Sequence, residues 1–140
     1  MSATDFLDSN ILIYAYDPSQ LRKRTIAQEL VNGALAGESV ISVQVLAEFC
    51  ATLMHKASQK ASPQAIKRLL EILEPIELVV PDAETVRRAV EAHAAYGIHF
   101  YDGMIVASAE RAGCKRIWSE DLNASQKYFG VSVANPFDGA

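Results

Sequence analysis

The chain of 140 residues carries a formal net charge of −4, and half of its residues are apolar while 8% are aromatic. This length and composition are typical of one globular domain, so we expect residues 1–140 to form a single domain. Because no apolar run approaches the ~18 residues of a membrane span and no basic segment precedes an apolar stretch at the N-terminus, the sequence predicts a cytoplasmic protein without a signal peptide or membrane contact.

The first part of the chain alternates a short apolar run with two helical patterns. Phe6–Asp8 is predicted to be a buried strand. Ile11–Tyr16 is predicted to be a short helix or turn that ends at Asp17-Pro18, since the residue that precedes a proline disfavours helix. Leu21–Leu35 is predicted to be a longer helix, and Gly37 lies just beyond its end.

The middle of the chain continues the alternation. Ser39–Ile41 is predicted to be a second strand, and the helix after it has apolar residues at a period of 3.6 between Val45 and Met54. Ser62 is a predicted N-cap, because a proline follows it at the first helical position, and this helix is expected to run to Leu73.

The last part of the chain adds three strands and two helices. Short strands that alternate with helices predict an α/β fold with a mostly parallel sheet of about five strands and helices on both faces. In chain order these elements are a strand over Ile76–Val80, a helix from Pro81-Asp82 to Tyr96, a helix over Asp102–Ala112, and strands over Arg116–Trp118 and Val131–Ala134.

Four acidic residues flank these elements. Asp8 closes the first strand, Glu48 lies in the helix after the second strand, Asp102 opens a helix, and Asp121 follows the fourth strand. Ligands of such sheets bind beyond the carboxyl ends of the strands, so the topology brings distant acids together. Converging carboxylates repel one another unless a hard divalent cation, which prefers oxygen ligands, neutralises them. The pattern therefore predicts a Mg²⁺ or Mn²⁺ site of the kind that hydrolyses phosphodiesters.

Each acid also has an ordinary structural interpretation. Asp8 and Asp102 could cap the helices that follow them, and Glu48 could be an exposed helix residue. Asp121 lies in a turn-prone segment, Ser-Glu-Asp-Leu-Asn. Glu120 beside it is expected to be exposed, because neighbouring residues point apart.

Two polar residues are candidates to support the acids. Asn10 and Ser119 could orient the carboxylates or a metal-bound water through hydrogen bonds, or could form local turns. His99 is a weaker candidate for the pocket because it is close to Asp102. The net charge argues against a nucleic-acid partner, yet basic residues cluster locally, as in Arg22-Lys23-Arg24 and Arg87-Arg88. They could form a phosphate track, or else solvated helix faces.

These residues together carry a family resemblance. Leu-Asp-Ser-Asn-Ile at 7–11, the helix-borne Glu48, Tyr-Asp-Gly-Met-Ile-Val-Ala at 101–107 and Trp-Ser-Glu-Asp-Leu at 118–122 resemble the signature of the PIN domain. Their order and spacing match along nearly the whole chain. Within that family, the compact chain and the closing Val-Ala-Asn-Pro-Phe at 133–137 are similar to the VapC toxins of bacterial toxin–antitoxin pairs.

The resemblance implies a Mg²⁺-dependent ribonuclease on a Rossmann-like, three-layer α/β/α sandwich. It further implies an RNA substrate, a VapB-type antitoxin that occupies the active-site groove, and a homodimer. A Ser or Thr commonly stands two positions before the last acid of the family, and Ser119 therefore favours Asp121 over Glu120 as that acid. The family's four acidic positions, which imply metal binding and catalysis, are matched by Asp8, Glu48, Asp102 and Asp121.

Two other functions fit parts of the pattern. A receiver-type signalling module also collects aspartates and Mg²⁺ on a doubly wound sheet. It needs a phospho-acceptor Asp after its third strand and a Lys after its fifth, whereas here Pro81-Asp82 and Asn135-Pro136 follow those strands. A non-catalytic PIN-fold binding protein with a decayed site is the second alternative, and the presence of all four acids counts against it.

Overall fold

A computed structural model describes residues 5–56 and 60–138 of the chain. Within these residues, short strands alternate with helices as the sequence predicts. The elements are β1 Asp5–Leu7, α1 Ser9–Ala15, α2 Leu21–Leu35, β2 Ser39–Ser42, α3 Val43–His55, α4 Pro63–Leu73, β3 Glu77–Val79, α5 Ala83–Tyr96, α6 Phe100–Arg111, β4 Arg116–Trp118, β5 Lys127–Tyr128 and β6 Val131–Ala134.

The strands form one sheet in the order β3-β2-β1-β4-β6-β5. All neighbouring pairs are parallel except β5 with β6. This is the mostly parallel α/β/α sandwich that the sequence predicts. The order runs outward from β1 to β3 and then continues on the other side with β4, so the topological switch point lies between β1 and β4. A receiver-type sheet has the order 2-1-3-4-5, and this chain does not follow it.

One strand escapes the sequence pattern. Lys127–Tyr128 pairs antiparallel with Val131–Ser132 through a two-residue turn. Both turn residues have positive φ, 51° at Phe129 and 82° at Gly130, as a tight type I′ hairpin requires. The Tyr96 hydroxyl accepts a hydrogen bond from the Phe129 amide at 2.8 Å and helps to hold this conformation. A two-residue strand is too short to show alternation, so Val131–Ala134 is the sixth strand instead of the fifth.

Side-chain caps define several helix starts. Ser62 caps α4, as the sequence predicts, and Asp82 caps α5 and forms a capping box with Thr85. The prediction that Asp102 opens α6 is wrong, because α6 begins at Phe100. His99 is its N-cap, and Nδ1 of that ring accepts a hydrogen bond from the Tyr101 amide.

The core lies between the sheet and the helices packed on it. The central strands are buried, including Phe6, Leu7 and Ile117. Helices α1, α2 and α3 pack together, and α5 packs against α6. The α5–α6 contact is close, since a Cβ added to Gly103 would lie 2.6 Å from the carbonyl oxygen of Ala89. No helix in the described part of the chain is long and apolar enough to cross a membrane.

Candidate active site

The carboxyl ends of β1 and β4 meet at the switch point, where a parallel sheet most often binds ligands. Leu7 lies opposite Trp118 in the sheet, so the next residues, Asp8 and Ser119, are neighbours. The Asp8 amide donates to the Trp118 carbonyl at 3.0 Å. The Ser119 hydroxyl donates to Asp8 Oδ2 at 2.8 Å. Residues 111 positions apart are thereby joined at one edge of the sheet.

Asp8 is buried, with 4% of its surface exposed. Its Oδ1 accepts a hydrogen bond from the Ser9 amide at 2.7 Å, so it caps α1 while it also faces the other acids. Burial raises the pKa of Asp8 from 3.8 to about 6, and the charges of Glu48 and Asp121 add to this effect. The hydrogen bonds from Ser119 and Ser9 oppose it. Capping and a place in the acidic cluster are therefore compatible roles for this residue.

Glu48 reaches the same edge from α3, which begins directly after β2. Partial burial raises its pKa, and the charges of Asp102 and Asp121 raise it further. Gln44, one helical turn earlier, donates from Nε2 to Glu48 Oε1 at 3.4 Å and to the Tyr101 carbonyl at 3.1 Å. This amide links α3 to the start of α6. Our sequence reasoning missed Gln44, although its i−4 spacing to Glu48 is the signal that could have found it.

Asp102 lies in the first turn of α6 and is half-buried. Burial and the charge of Asp121 raise its pKa, while His99 lowers it. Because His99 caps the helix, the carboxylate of Asp102 is not used as a cap. Within residues 5–56 and 60–138, its carboxylate accepts no hydrogen bond and forms no ion pair at contact distance.

Asp121 and Glu120 point to different surroundings. Asp121 Oδ2 accepts a hydrogen bond from Asn10 Nδ2 at 3.1 Å, and its charge raises the pKa of the other three acids. Glu120 instead accepts from the Tyr14 hydroxyl at 2.6 Å and pairs with Lys23 at 2.6 Å. Burial would raise the Glu120 pKa, but Lys23 and Tyr14 outweigh burial and lower it. The prediction that Glu120 is exposed is wrong, because this residue is a half-buried ion-pair partner.

Ser119 and Asn10 connect the two sides of the cluster. The Ser119 hydroxyl donates to Asp8 and accepts from the amides of Asp121 and Leu122, at 3.1 and 3.3 Å. Asn10 Oδ1 accepts from the Glu120 amide at 3.3 Å while its amide nitrogen binds Asp121. These two residues therefore fix the loop after β4 relative to β1 and α1.

The basic clusters of the sequence are mostly engaged elsewhere. None of the ion pairs in the described part of the chain involves Asp8, Glu48, Asp102 or Asp121. The cations pair with other acids, in Lys23–Glu120, Arg87–Glu84, Arg88–Glu91, Arg88–Glu110, Arg111–Asp82 and Arg116–Asp5. The four acids therefore have no Lys or Arg paired with them in this part of the chain.

The sequence of this chain matches the model of a known protein family. The model described as the PIN domain matches residues 6–130, which contain all four acids. This chain belongs to the PIN domain family. The resemblance predicted from the motifs is thereby confirmed. A comparison with curated proteins found no match.

Solved structures that are similar to this chain include chains of toxin–antitoxin complexes. A chain of a toxin–antitoxin complex from Klebsiella pneumoniae is similar with a TM-score of 0.66 and 19% identity, over 97% of this chain and 98% of that chain. A chain of VapBC2 from Rickettsia felis, bound to a promoter DNA fragment, is similar with a TM-score of 0.66 and 18% identity, over 94% of this chain and 97% of that chain. A chain of DNA-bound VapBC from Salmonella typhimurium is similar with a TM-score of 0.65 and 18% identity, over 97% of this chain and 99% of that chain. The fold of this chain is therefore similar to that of chains in VapBC complexes, as the sequence motifs predict.

The donor groups of this PIN chain fit a hard divalent cation in their chemistry. Four carboxylates and the Asn10 and Ser119 side chains offer oxygen atoms, and oxygen is the ligand that Mg²⁺ and Mn²⁺ prefer. Within the described residues, no group of three or more His, Cys, Asp or Glu is arranged to hold a metal ion. Mg²⁺ is commonly bound through one or two carboxylates and several waters, so these donor groups fit an ion that keeps part of its water shell.

Proposed function

We propose that this PIN-domain chain is a single-domain, cytoplasmic endoribonuclease that depends on Mg²⁺ or Mn²⁺ and acts as the toxin of a VapBC-type pair. The observation that carries the proposal is the set of four carboxylates at the switch point, where burial and neighbouring charge raise the pKa of Asp8, Glu48 and Asp102. None of the four forms an ion pair in the described residues. Perturbed titratable groups in one cleft are typical of functional sites. The similarity to chains of toxin–antitoxin complexes supports the biological role.

In this proposal Asp8, Glu48 and Asp102 hold the cation, and Asp121 completes its ligand set or orients the attacking water. When bound, such an ion lowers the pKa of a water molecule and stabilises the negative charge that develops on the phosphate. Ser119 holds the Asp8 carboxylate, and Asn10 holds that of Asp121. These two side chains therefore set where the carboxylates face the substrate.

The test is cleavage of RNA by the purified full chain. We expect cleavage with Mg²⁺ or Mn²⁺, none in excess EDTA, and none by Asp8→Asn at a concentration where wild type is active. Asp82→Asn is a matched control, since Asp82 also caps a helix but pairs with Arg111 away from the site. Undiminished cleavage in EDTA, or undiminished cleavage by Asp8→Asn, would refute the metal-dependent mechanism. Sequencing of RNA ends after induced expression would identify the cleaved RNA.

The proposal includes an antitoxin and a homodimer. An uncompensated acidic site is best blocked by arginine, whose planar guanidinium pairs with carboxylates through two hydrogen bonds. We therefore expect a VapB-type partner to place an Arg or Lys near Asp8, Glu48 and Asp102, with its aliphatic side chains beside α3. Expression of this chain alone should slow growth, and co-expression of the partner should restore it. If a partner truncated at its C-terminal segment still binds and inhibits as strongly, occlusion of the site is the wrong mechanism.

A further inference from the structure

A pocket of about 420 Å³ opens beside the acidic cluster, at Asn10 and Asp121. Its walls come from the end of α1, the segment that leads to α2, and the C-terminal half of α3. This volume lies in the range of roughly 300–1,000 Å³ that small-molecule sites occupy, and it is large enough for a nucleoside. The metal-dependent chemistry proposed above uses only the rim of this pocket.

Two aromatic rings in the pocket wall are held in place by the core. Tyr16 packs against Phe49 with ring centroids 5.8 Å apart, and Tyr14 packs edge-to-face on Phe137 at 5.0 Å. The Tyr14 hydroxyl is further fixed by its hydrogen bond to Glu120. Fixed aromatic side chains are the surfaces on which unpaired RNA bases stack.

The charges of the lining distinguish the parts of a nucleotide. The carboxylates of Asp17, Glu120 and Asp121 outnumber the one cation, Lys56, so a phosphate is disfavoured deep in the pocket. Lys23 already neutralises Glu120. Asp17 Oδ1 accepts from the amide and hydroxyl of Ser19, and no donor in the described residues occupies its Oδ2. The pocket thus offers free carboxylate acceptors next to aromatic surfaces.

Lys56 lies at the mouth of the pocket. It is the C-cap of α3 and is exposed, and within residues 5–56 and 60–138 its ammonium group has no ion-pair partner. A phosphate bound by the exposed ammonium group of Lys56 would leave its attached base on the side of the tyrosines. A neutral ring inside and a phosphate outside is the arrangement that these charges favour.

We propose that this pocket binds one base of the RNA strand next to the scissile phosphate, and that it selects bases with an exocyclic amino group. Adenine, cytosine and guanine carry such a donor, whereas uracil presents carbonyl oxygens in its place. Asp17 accepts the amino group and the tyrosine rings contact the base. This inference rests on the proposed ribonuclease function for its substrate, but base binding itself needs neither metal nor cleavage.

The test is a titration of the ¹⁵N-labelled full chain with nucleosides in EDTA, followed by amide NMR shifts. Adenosine, cytidine and uridine have no phosphate, so they isolate recognition of the base. We expect saturable shifts around Gln20, Thr52 and Lys56, with adenosine and cytidine about tenfold tighter than uridine, the ratio that ~1.4 kcal/mol produces. Equal affinity for all three nucleosides, or no saturable shift in the pocket, overturns the proposal.

Two variants with matched controls locate the effect. Thr52→Phe fills the pocket and should abolish the shifts, whereas Thr25→Phe on the exposed face of α2 should not. Asp17→Asn should bring uridine and cytidine to similar affinities, whereas Glu71→Gln on exposed α4 should leave their ratio unchanged. Dispersed spectra of each variant would establish that it folds.

The outcomes separate this inference from the proposed nuclease function. A chain that binds cytidine but never cleaves RNA would keep the base pocket and refute the nuclease. If the chain cleaves RNA in Mg²⁺ but binds no nucleoside, the nuclease function stands and the base pocket is refuted. If Thr52→Phe leaves the titration unchanged and instead abolishes capture of the antitoxin, the pocket binds a protein segment and our inference is wrong.

Discussion

The acids of the proposed site and the acids that pair with arginines on α5 and α6 are the same chemical groups in opposite surroundings. Burial and mutual repulsion raise the pKa of Asp8, Glu48 and Asp102. By contrast, the hydrogen bond from Arg111 holds the pKa of Asp82 well below its usual range. One region keeps its carboxylates at a cost in folding stability, while the other uses them to hold two helices together.

The α5–α6 region shows how this chain compensates charge when only structure is at stake. Arg88 forms two parallel hydrogen bonds with Glu110, at 2.8 and 2.9 Å, and also pairs with Glu91 at 2.7 Å. Its guanidinium carbon lies 3.5 Å from the centre of the Phe129 ring. Such bidentate and stacked contacts are the arrangement for which arginine is best suited. No comparable cation faces the acids of the proposed site in the described residues.

The difference teaches that the acidic edge is not a by-product of an acidic composition. The chain has 13 Lys and Arg against 17 Asp and Glu, so most of its acids can be paired, as Asp82, Glu91 and Glu110 are. Uncompensated charge that a fold retains at one place is expected where function needs it.

The largest effect is expected on catalysis, from the neighbouring residues Glu120 and Asp121. Asp121→Asn should lower the rate of RNA cleavage on the order of 10²–10³-fold, the size of effect that loss of one electrostatic stabiliser has. Glu120→Gln should change the rate by less than about fivefold, because Glu120 faces Lys23 and not the other acids. Initial rates at saturating Mg²⁺ measure both. If Glu120→Gln lowers the cleavage rate more than Asp121→Asn does, Glu120 and not Asp121 is the fourth acid of the site.

The next effect concerns stability without metal. Between pH ~4 and ~6 the folded chain binds a proton at Asp8 that the unfolded chain has released, so stability falls as pH rises through this window. The raised pKa corresponds to a penalty of about 3 kcal/mol above pH 6. In EDTA at pH 7, Asp8→Asn should therefore unfold at higher urea than wild type, and the gap should close below pH 4 and narrow with Mg²⁺. A less stable variant at pH 7 would mean that the capping role of Asp8 dominates.

A smaller effect tests how the backbone positions Asp102. Gly103→Ala places a methyl group 2.6 Å from the Ala89 carbonyl, so α5 or α6 must shift. Against the gain in helix propensity, we expect a net loss of about 1–2 kcal/mol in urea unfolding, and slower RNA cleavage. Gly33→Ala is the matched control, since its methyl group meets only the flexible Glu38 side chain. Equal stability of the two variants would show that the α5–α6 contact has no role in placing Asp102.

The smallest effect is expected at the exposed ion pair of α5 with α6. Asp82→Asn keeps an N-cap but loses the charge that pairs with Arg111, so the melting temperature should fall slightly. Because the pKa of Asp82 is lowered in the folded chain, its stabilisation is present above pH ~4 and is lost as the pH falls further. Wild type should therefore melt at a higher temperature than Asp82→Asn at pH 7, and the difference between their melting temperatures should be smaller near pH 2. An Asp82→Asn chain that is more stable at pH 7 would contradict the contrast between the two regions.

Local patterns in the sequence were enough for most of the fold. The helix over Leu21–Leu35 and the strand over Arg116–Trp118 have the predicted bounds. The cap at Ser62 was equally readable, because a cap is decided by residues within one turn. The acids stood at strand and helix ends, and parallel topology alone indicated that such positions meet.

The surroundings of each of these side chains depend on tertiary packing and could not be predicted from the local sequence. Glu120 and Asp121 are adjacent in sequence, and their opposite surroundings depend on Lys23 and Asn10, about a hundred positions away. The helix start at Phe100, with His99 as its cap, and the two-residue strand β5 also lacked a sequence signal. Sequence periodicity records which face of an element is buried, whereas hydrogen bonds and charge pairing depend on which distant residue packing brings within about 3 Å.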